Sequence, residues 1–473
     1  MLFAPELVLL IGSLLIFFLS LGERKGKGAE RLTMLVGCLT VVVLLFSFKS
    51  EGTLFFKVYE IDFFSQLFKL LIVLGMLFVT GFTKDLKGIG ENIKPEYFLF
   101  MVLSTLGLVM LVSSVELLTL FISLELSSYC LYLMVPMRDD RHGDRAQMEG
   151  AIKYILFGVV ATGVMLYGMS FLYGLTGTTY LEFLIPEVQN LMGQPTAVLA
   201  TAMVMGGFFF KLAIFPFHFW VPDVYQGASN PTTSFIGTVP KLAAVAILIR
   251  LTMFISPSEG GTMLTNMMML LAIFSMFYGN LAALVQKDIK RMLGFSGIAH
   301  AGFILVGLLT LKTTGMATSL YYIIGYVVMN LACFLVICQV SSKGENLLVA
   351  DFNGLHKRAP LLALTLLVGM MALAGIPPFV GFMGKFMLLV GALDEGYITL
   401  VILAAINTAI ALFYYLSVVK AAYCEAPENH DKAAIPDGMV NALSVILMIV
   451  IIIMGVAPDK FMSLTTMAVN SLF

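Results

Sequence analysis

The sequence predicts an all-α polytopic membrane protein of about fourteen spans, two of them broken by proline, built as an inverted repeat. Three observations carry this. Of 473 residues, 59% are hydrophobic and only 12% charged, about half the charged share of a soluble domain. Fourteen apolar runs each approach the roughly 20 residues that a helix needs to cross a bilayer. The basic residues between those runs are concentrated in the odd-numbered connections. Mean hydropathy is +0.97, so most of the exterior faces lipid. A net charge of −1 offers no basic surface for nucleic acid.

The runs lie near 4–21, 32–48, 61–82, 96–113, 115–136, 150–174, 197–218, 232–256, 263–285, 292–311, 317–340, 359–390, 397–423 and 438–456. Unpaired backbone groups are not tolerated in lipid, so each run is expected to be helical. The first run has no basic region ahead of it, which argues for a span rather than a cleaved signal. The odd-numbered connections hold eighteen of the 28 Lys and Arg residues, among them Arg24, Lys25, Lys84, Arg138, Arg141, Lys290 and Lys432. The even connections and the C-terminal tail hold Lys49, Lys57, Lys312 and Lys460. The positive-inside rule then puts the odd connections in the cytoplasm and both termini outside. The long connection at 175–196 lacks basic residues, and its Gly177, Pro186 and Pro195 predict a surface loop. Five cysteines show no ligand spacing and predict neither an iron–sulfur site nor a disulfide framework.

Six basic residues fall inside the spans: Lys69, Lys153, Lys211, Lys241, Arg250 and Lys385. Glu125 lies mid-way along the fifth. A charge at the bilayer centre costs at least about 2.5–3.5 kcal/mol, so such residues point to an ion or proton path. Arg250, near a helix end, reads as a snorkelling side chain. Lys69 fits snorkelling and function equally, and Lys153 lies close to the cytoplasmic end of its span. For Glu125, Lys211, Lys241 and Lys385 the competing reading is a fixed ion pair, but three lysines and one acid cannot all pair. Buried lysine suits proton relay because burial favours its neutral form and a carboxylate restores the charge. His218 and His300 are expected near cytoplasmic ends, where each serves as proton carrier or surface residue.

Two spans carry prolines. Lys211 precedes Pro216 in the seventh, and Pro377 and Pro378 precede Gly381, Gly384 and Lys385 in the twelfth. Leu212 to Pro216 and Leu373 to Pro377 align as LAxxP. They lie five spans apart and so run in opposite directions, as an inverted repeat with discontinuous helices at a transport path requires. The expected division is an N-terminal three-helix region (1–95), a first repeat (96–256), a second repeat (263–423) and a last helix (438–456).

Several stretches resemble the antiporter-like membrane subunits of complex I, the NADH–quinone oxidoreductase, and within them subunit N. The signature runs from Phe210 to Ala228, with Lys211, Pro216, His218, Trp220 and Pro222-Asp223-Val224-Tyr225 in place. Pro5-Glu6-Leu7, Ser123 to Tyr129, Glu149 to Tyr154, Gln286 to Leu293, Ile298 to Gly302 and Gly381 to Phe386 match in order across almost the whole chain. The Lys211–Pro216 region is shared by the whole superfamily. Pro222 to Tyr225, and a lysine rather than a glutamate in the twelfth span, favour subunit N over subunit M. The chain ends without the long lateral helix of subunit L. Ser229-Asn230-Pro231 and Gly297 depart from the family pattern, at positions expected to lie near cytoplasmic ends and away from the charged path.

The resemblance implies proton export driven by quinone reduction elsewhere in the complex. It makes Glu125 and Lys211 a modulating pair, Lys241 a central relay and Lys385 the exit-side group, with Lys153 and His218 linked to the path. It places no cofactor on this chain, and puts NADH, FMN, iron–sulfur clusters and quinone on other subunits. It implies K-like and M-like membrane neighbours in the cell inner membrane. Rival readings are a subunit of a multisubunit cation/proton antiporter, a subunit of an energy-converting hydrogenase-type complex, and a purely structural anchor.

Overall fold

The apolar runs become helices because each can satisfy its own backbone hydrogen bonds; among the described residues twelve are long and apolar enough to cross a membrane, and Ala4–Ser20 and Pro360–Ala374 are shorter apolar helices at the positions of the first and twelfth runs. The computed structural model describes residues 2–22, 26–83, 86–139, 145–426 and 437–473. Arg24, Lys25, Lys84, Arg141 and Lys432 of the charge alternation lie outside these residues. The first six spans are α1 (Ala4–Ser20), α2 (Lys27–Ser47), α3 (Phe63–Phe82), α4 (Lys94–Ser113), α5 (Leu117–Met134) and α6 (Ala146–Thr176). A hairpin of β1 (Gly52–Leu54) and β2 (Tyr59–Ile61) joins α2 to α3. Next come α7 (Leu181–Leu191), α8 (Pro195–Leu212), α9 (Val221–Gly227), α10 (Asn230–Ile236) and α11 (Val239–Thr252). The second half holds α12 (Glu259–Leu284), α13 (Ile289–Leu308), α14 (Thr313–Val340), the short α15 (Leu355–Arg358), α16 (Pro360–Ala374), α17 (Val380–Asp394) and α18 (Ile398–Cys424). α19 (Gly438–Val456) is the last span, and α20 (Pro458–Asn470) follows it.

Helix starts follow local chemistry. Asp62 accepts from Ser65 N at 2.6 Å and Ser65 reciprocates, a capping box that opens α3. Asp288 accepts from Arg291 N at 2.9 Å and opens α13. One expectation fails. The connection at 175–196 is not a simple loop, because Leu181, Leu184 and Val188 recur at helical spacing and bury one face of α7. Pro186 sits inside that helix rather than at a turn.

The repeat is legible in the backbone. α4 packs on α5 as α12 packs on α13. A Cβ on Gly107 would meet Ser127 N at 2.7 Å and Ser123 O at 2.9 Å. One on Gly279 would meet Ala299 N at 2.6 Å and Phe295 O at 2.7 Å. Only glycine permits either approach. All three positions (107, 123, 127 against 279, 295, 299) shift by the same amount, so Gly297 stands where Glu125 stands in the first half.

Both breaks repeat one hydrogen-bond pattern. Ala213 N bonds Phe210 O, Ile214 N bonds Phe209 O and Phe217 N bonds Ile214 O. Gly375 N bonds Ala372 O, Ile376 N bonds Met371 O and Phe379 N bonds Ile376 O. Ala213 and Gly375 both take left-handed conformations, at φ 63° and 85°. The true register therefore pairs Ala213 with Gly375 and Pro216 with Pro378. The LAxxP match was one residue out, because it matched alanines rather than the residues that end each helix.

Between the halves, the stretch Asn230–Thr252 is wholly buried. It packs against α3, α4, α8 and α14.

Candidate proton path

The first half-site forms around Lys211, in the last turn of α8 and 4% exposed. Its Nζ lies 5.8 Å from the ring centre of Tyr132 and 5.9 Å from that of Tyr154, within cation–π range. Tyr154 stacks on Trp220 at 4.4 Å, and Trp220 Nε1 donates to Phe210 O at 3.1 Å. The break after Leu212 thus folds Trp220 back to wall the lysine. Glu125 on α5 is buried, and its Oε1 and Lys211 Nζ make no hydrogen bond among the described residues. Among the described residues no ion pair within 4.0 Å joins the two. They face one electrostatic environment without touching.

The second half-site is denser. Lys241 Nζ donates to Tyr326 OH on α14 at 2.9 Å and lies 4.9 Å from that ring's centre. Lys385 Nζ donates to Leu373 O at 3.1 Å and Ala374 O at 3.3 Å, carbonyls freed where α16 ends. It lies 5.1 Å from the centre of the Phe303 ring. Gly375 makes this cradle possible: a Cβ there would sit 3.2 Å from Lys385 Cδ and 3.3 Å from Nζ.

His300 stands among these groups. Its Nδ1 is 2.6 Å from Tyr322 OH and its Nε2 3.0 Å from Tyr415 OH. Its ring is 5.2 Å from that of Tyr326. Ser296 hydrogen-bonds Tyr415 as well. The ring of Tyr322 packs on Gly384, next to Lys385. An aromatic and hydrogen-bonded series therefore runs from Lys241 through Tyr326, His300 and Tyr322 toward Lys385.

Several sequence readings are corrected here. His300 is not near a helix end: α13 starts at Ile289, so His300 falls mid-helix and is 3% exposed. Gly297 is not remote from the charged residues, since a Cβ there would meet both Lys241 Nζ and Tyr326 OH at 2.8 Å. Arg250 does not snorkel. It is buried, and its Nη2 bonds Asp62 Oδ2 at 2.8 Å. Lys69 does not snorkel either, because it pairs with Glu6 at 2.7 Å, fully buried.

Lys153 is the most exposed of the expected residues. It bridges Glu149 Oε1 at 2.6 Å and Asp223 Oδ2 at 2.5 Å, and Arg291 Nη1 holds the other oxygen of Asp223 at 2.9 Å. Lys290, fully buried, donates to Ala228 O, and Arg138 donates to Gln226 O, so two cations cap the end of α9. His218, on the turn between α8 and α9, stacks 5.3 Å from Phe215 and lies tilted 4.3 Å from Tyr278, and neither ring nitrogen has a hydrogen-bond partner among the described residues. Tyr322, Tyr326 and Tyr415 were missed. Tyr322 and Tyr326 are spaced to share a helix face with Asn330, a signal present in the sequence.

A family profile described as NADH:quinone oxidoreductase/Mrp antiporter, TM, matches residues 114–411. That description covers both a respiratory enzyme and an antiporter. A curated relative from Opitutus terrae named NADH-quinone oxidoreductase subunit N 2 is 50% identical over 457 residues, covering 96% of this chain and 95% of its own. The chain belongs to the NADH–quinone oxidoreductase subunit N family. Subunit N from Nitrosomonas europaea is 36% identical, covering 98% of this chain and 97% of its own. In the solved structures, a chain of respiratory complex I from Thermus thermophilus superposes with a TM-score of 0.84 at 30% identity, covering 98% and 99% of the two chains. A chain of the Mrp complex from Dietzia superposes at 0.87 with 19% identity, covering 99% of this chain and 97% of that one, a likeness of fold alone. As a subunit N, the protein is a multi-span component of the proton-translocating membrane arm of an NADH–quinone oxidoreductase, with other membrane subunits as partners. Among the described residues no group of three or more His, Cys, Asp or Glu could hold a metal ion.

Proposed function

We propose that this subunit N carries protons along Glu125, Lys153, Lys211, His218, Lys241 and Lys385, driven by quinone reduction on other subunits. The observation that carries the reading is the second half-site. Two buried lysines, Lys241 and Lys385, have no carboxylate within ion-pair distance among the described residues and are linked by Tyr326, His300 and Tyr322. A fixed structural pair cannot account for them. Lys153 serves the uptake side, Glu125 and Lys211 form the switchable pair, Lys241 is the centre and Lys385 the release-side group. Bringing Glu125 toward Lys211 favours the charged lysine, and separating them lets its proton go.

The chain divides at 1–95, 96–256, 263–423 and 438–456, its two repeats each holding one break. Its neighbours are K-like and M-like membrane subunits. NADH, FMN, iron–sulfur clusters and quinone belong to other subunits. The face carrying Arg138, Lys290 and Arg291 is cytoplasmic, and both termini lie outside the inner membrane.

The test is proton pumping per NADH oxidised, in vesicles holding the whole complex. Glu125→Gln lowers pumping, Glu125→Asp retains much more, and Lys211→Ala adds little to Glu125→Gln because both remove one interaction. An assembled Glu125→Gln complex that pumps like the parent overturns the proposal for the pair.

A further inference from the structure

A second buried ionic group lies outside both repeats, at the face of the β1–β2 hairpin. α1 contributes Glu6, α3 Lys69 and β2 Tyr59. Lys69 Nζ lies 2.7 Å from Glu6 Oε1, with both side chains fully buried. Tyr59 OH donates to the same Oε1 at 2.7 Å, and Lys69 Nζ lies 4.9 Å from the centre of its ring. Glu6 Oε2 accepts from no atom of the described residues. Lys69 is about 9 Å along α3 from Phe63 at 1.5 Å per residue, well inside the span.

A charged trail leads from this group to the surface. Asp62 caps α3 and holds Arg250 of α11 at 2.8 Å. Arg250 reaches Glu60 at 4.0 Å. Glu60 and Arg250 line a cavity of about 390 Å³ together with Lys57, Tyr180 and Glu182. The charged groups acting on Lys69 are Glu6, Asp62 and Arg250. Inward, the Ser113 hydroxyl faces Tyr59, and Ser114 Oγ lies 3.4 Å from Ser123 Oγ on α5, the helix of Glu125.

A purely structural role accounts poorly for this arrangement. A buried ion pair gains little over an apolar pair of the same shape, because desolvation offsets the attraction. α1, α2 and α3 already pack through apolar contacts such as Gly12 with Val36 and Gly37 with Leu77.

We infer that Glu6, Lys69 and Tyr59 form a second proton-release station, on the Glu125 side of the path and distinct from the Lys385 exit, that discharges through Asp62 and Glu60 into the cavity at the hairpin face. The inference rests on the proton-path reading above. In one cycle the Lys69 ammonium passes a proton to the Glu6 carboxylate, leaving a neutral amine and a carboxylic acid. The acid yields that proton to water in the cavity by way of the Asp62 and Glu60 carboxylates, and returns to carboxylate. The amine takes the next proton from the inner side and becomes ammonium again. Tyr59, bonded to the carboxylate, tunes the release.

The experiment measures protons pumped per NADH oxidised in vesicles holding the whole complex. It compares Glu6→Gln with Lys69→Met, the same two combined, and Tyr59→Phe. The double variant removes both charges and keeps the volume, so a structural pair predicts recovery in the double. The release station predicts instead that the assembled double pumps at least several-fold less than the parent. Tyr59→Phe is expected to move the pH profile of pumping by about one to two units, the effect of one lost hydrogen bond to the carboxylate. Parent-like pumping in the double, or an unmoved profile in Tyr59→Phe, overturns the inference. Lys385→Ala is run beside them. If it pumps normally, the path reading itself fails; if it is dead while the double is normal, only the release station fails.

Discussion

Replacing Gly375 by alanine separates the cradle of Lys385 from the fold that builds it. Gly375 has φ 85°, and left-handed backbone costs a residue with a Cβ about 1–2 kcal/mol. The new methyl would sit 3.2 Å from Lys385 Cδ and 3.3 Å from Nζ, so the ammonium must withdraw by some tenths of an ångström. Its bonds to Leu373 O and Ala374 O, at 3.1 and 3.3 Å, then lengthen beyond useful range. Hydrogen bonds from a charged donor are worth about 1.5–3 kcal/mol, and each 1.4 kcal/mol is a factor of ten. The strain alone does not prevent folding, because Ala213 already occupies the equivalent position of the first break at φ 63°. Gly375→Ala is therefore expected to assemble and to pump roughly ten-fold less per NADH oxidised, approaching Lys385→Ala. Ala213→Gly relieves the same strain far from Lys385 and should leave pumping unchanged. Full pumping by an assembled Gly375→Ala complex would refute the idea that the freed carbonyls must hold this lysine.

Tyr326→Phe removes the oxygen 2.9 Å from Lys241 Nζ and should lower pumping about ten-fold, with assembly intact on native gels. His300→Gln keeps one polar contact of the two to Tyr322 and Tyr415 and should fall between parent and Tyr326→Phe; equal rates in all three would remove the tyrosine–histidine series from the path. Glu345 lies in the loop after α14. Burial works against its charge, but the Lys343 and Ser342 amides outweigh burial and hold its carboxyl below the usual range. Its contribution is present above the ordinary carboxylate value and lost as pH falls through the lowered one. The melting-temperature gap between parent and Glu345→Gln should therefore narrow as pH falls below the ordinary carboxylate value of about 4.3.

The spans were legible because hydropathy and charge are properties of each segment alone. The breaks were legible because Pro216, Pro377 and Pro378 forbid continuous helix. Contacts between segments were not. Nothing local in the sequence says that Lys69 meets Glu6 or that Arg250 meets Asp62, so Arg250 was assigned to the lipid boundary and Lys69 was left between the boundary and a functional role. His300 was misplaced by an error of three residues in one helix start, Ile289 against 292. α7 was hidden because Pro186 reads as a loop signal until the burial of Leu181, Leu184 and Val188 is seen. Gly297 read as an idle departure, yet it borders Lys241, since closeness across helices has no trace in a single chain.

The wholly buried stretch Asn230–Thr252 bears on how the protein is made. It carries Lys241, Arg250 and a series of hydroxyl residues, including Thr232, Thr233, Ser234 and Thr238, and it shows no face to lipid. Such a segment is a poor substrate for the insertion machinery on its own merits. Its favourable surroundings are other helices: α3, α4 and α8 are synthesised before it, but α14, which supplies Tyr326, comes after. A nascent chain that stops short of Thr313 would leave the flank of Lys241 without its cover, and biogenesis has to shelter that flank until α14 arrives.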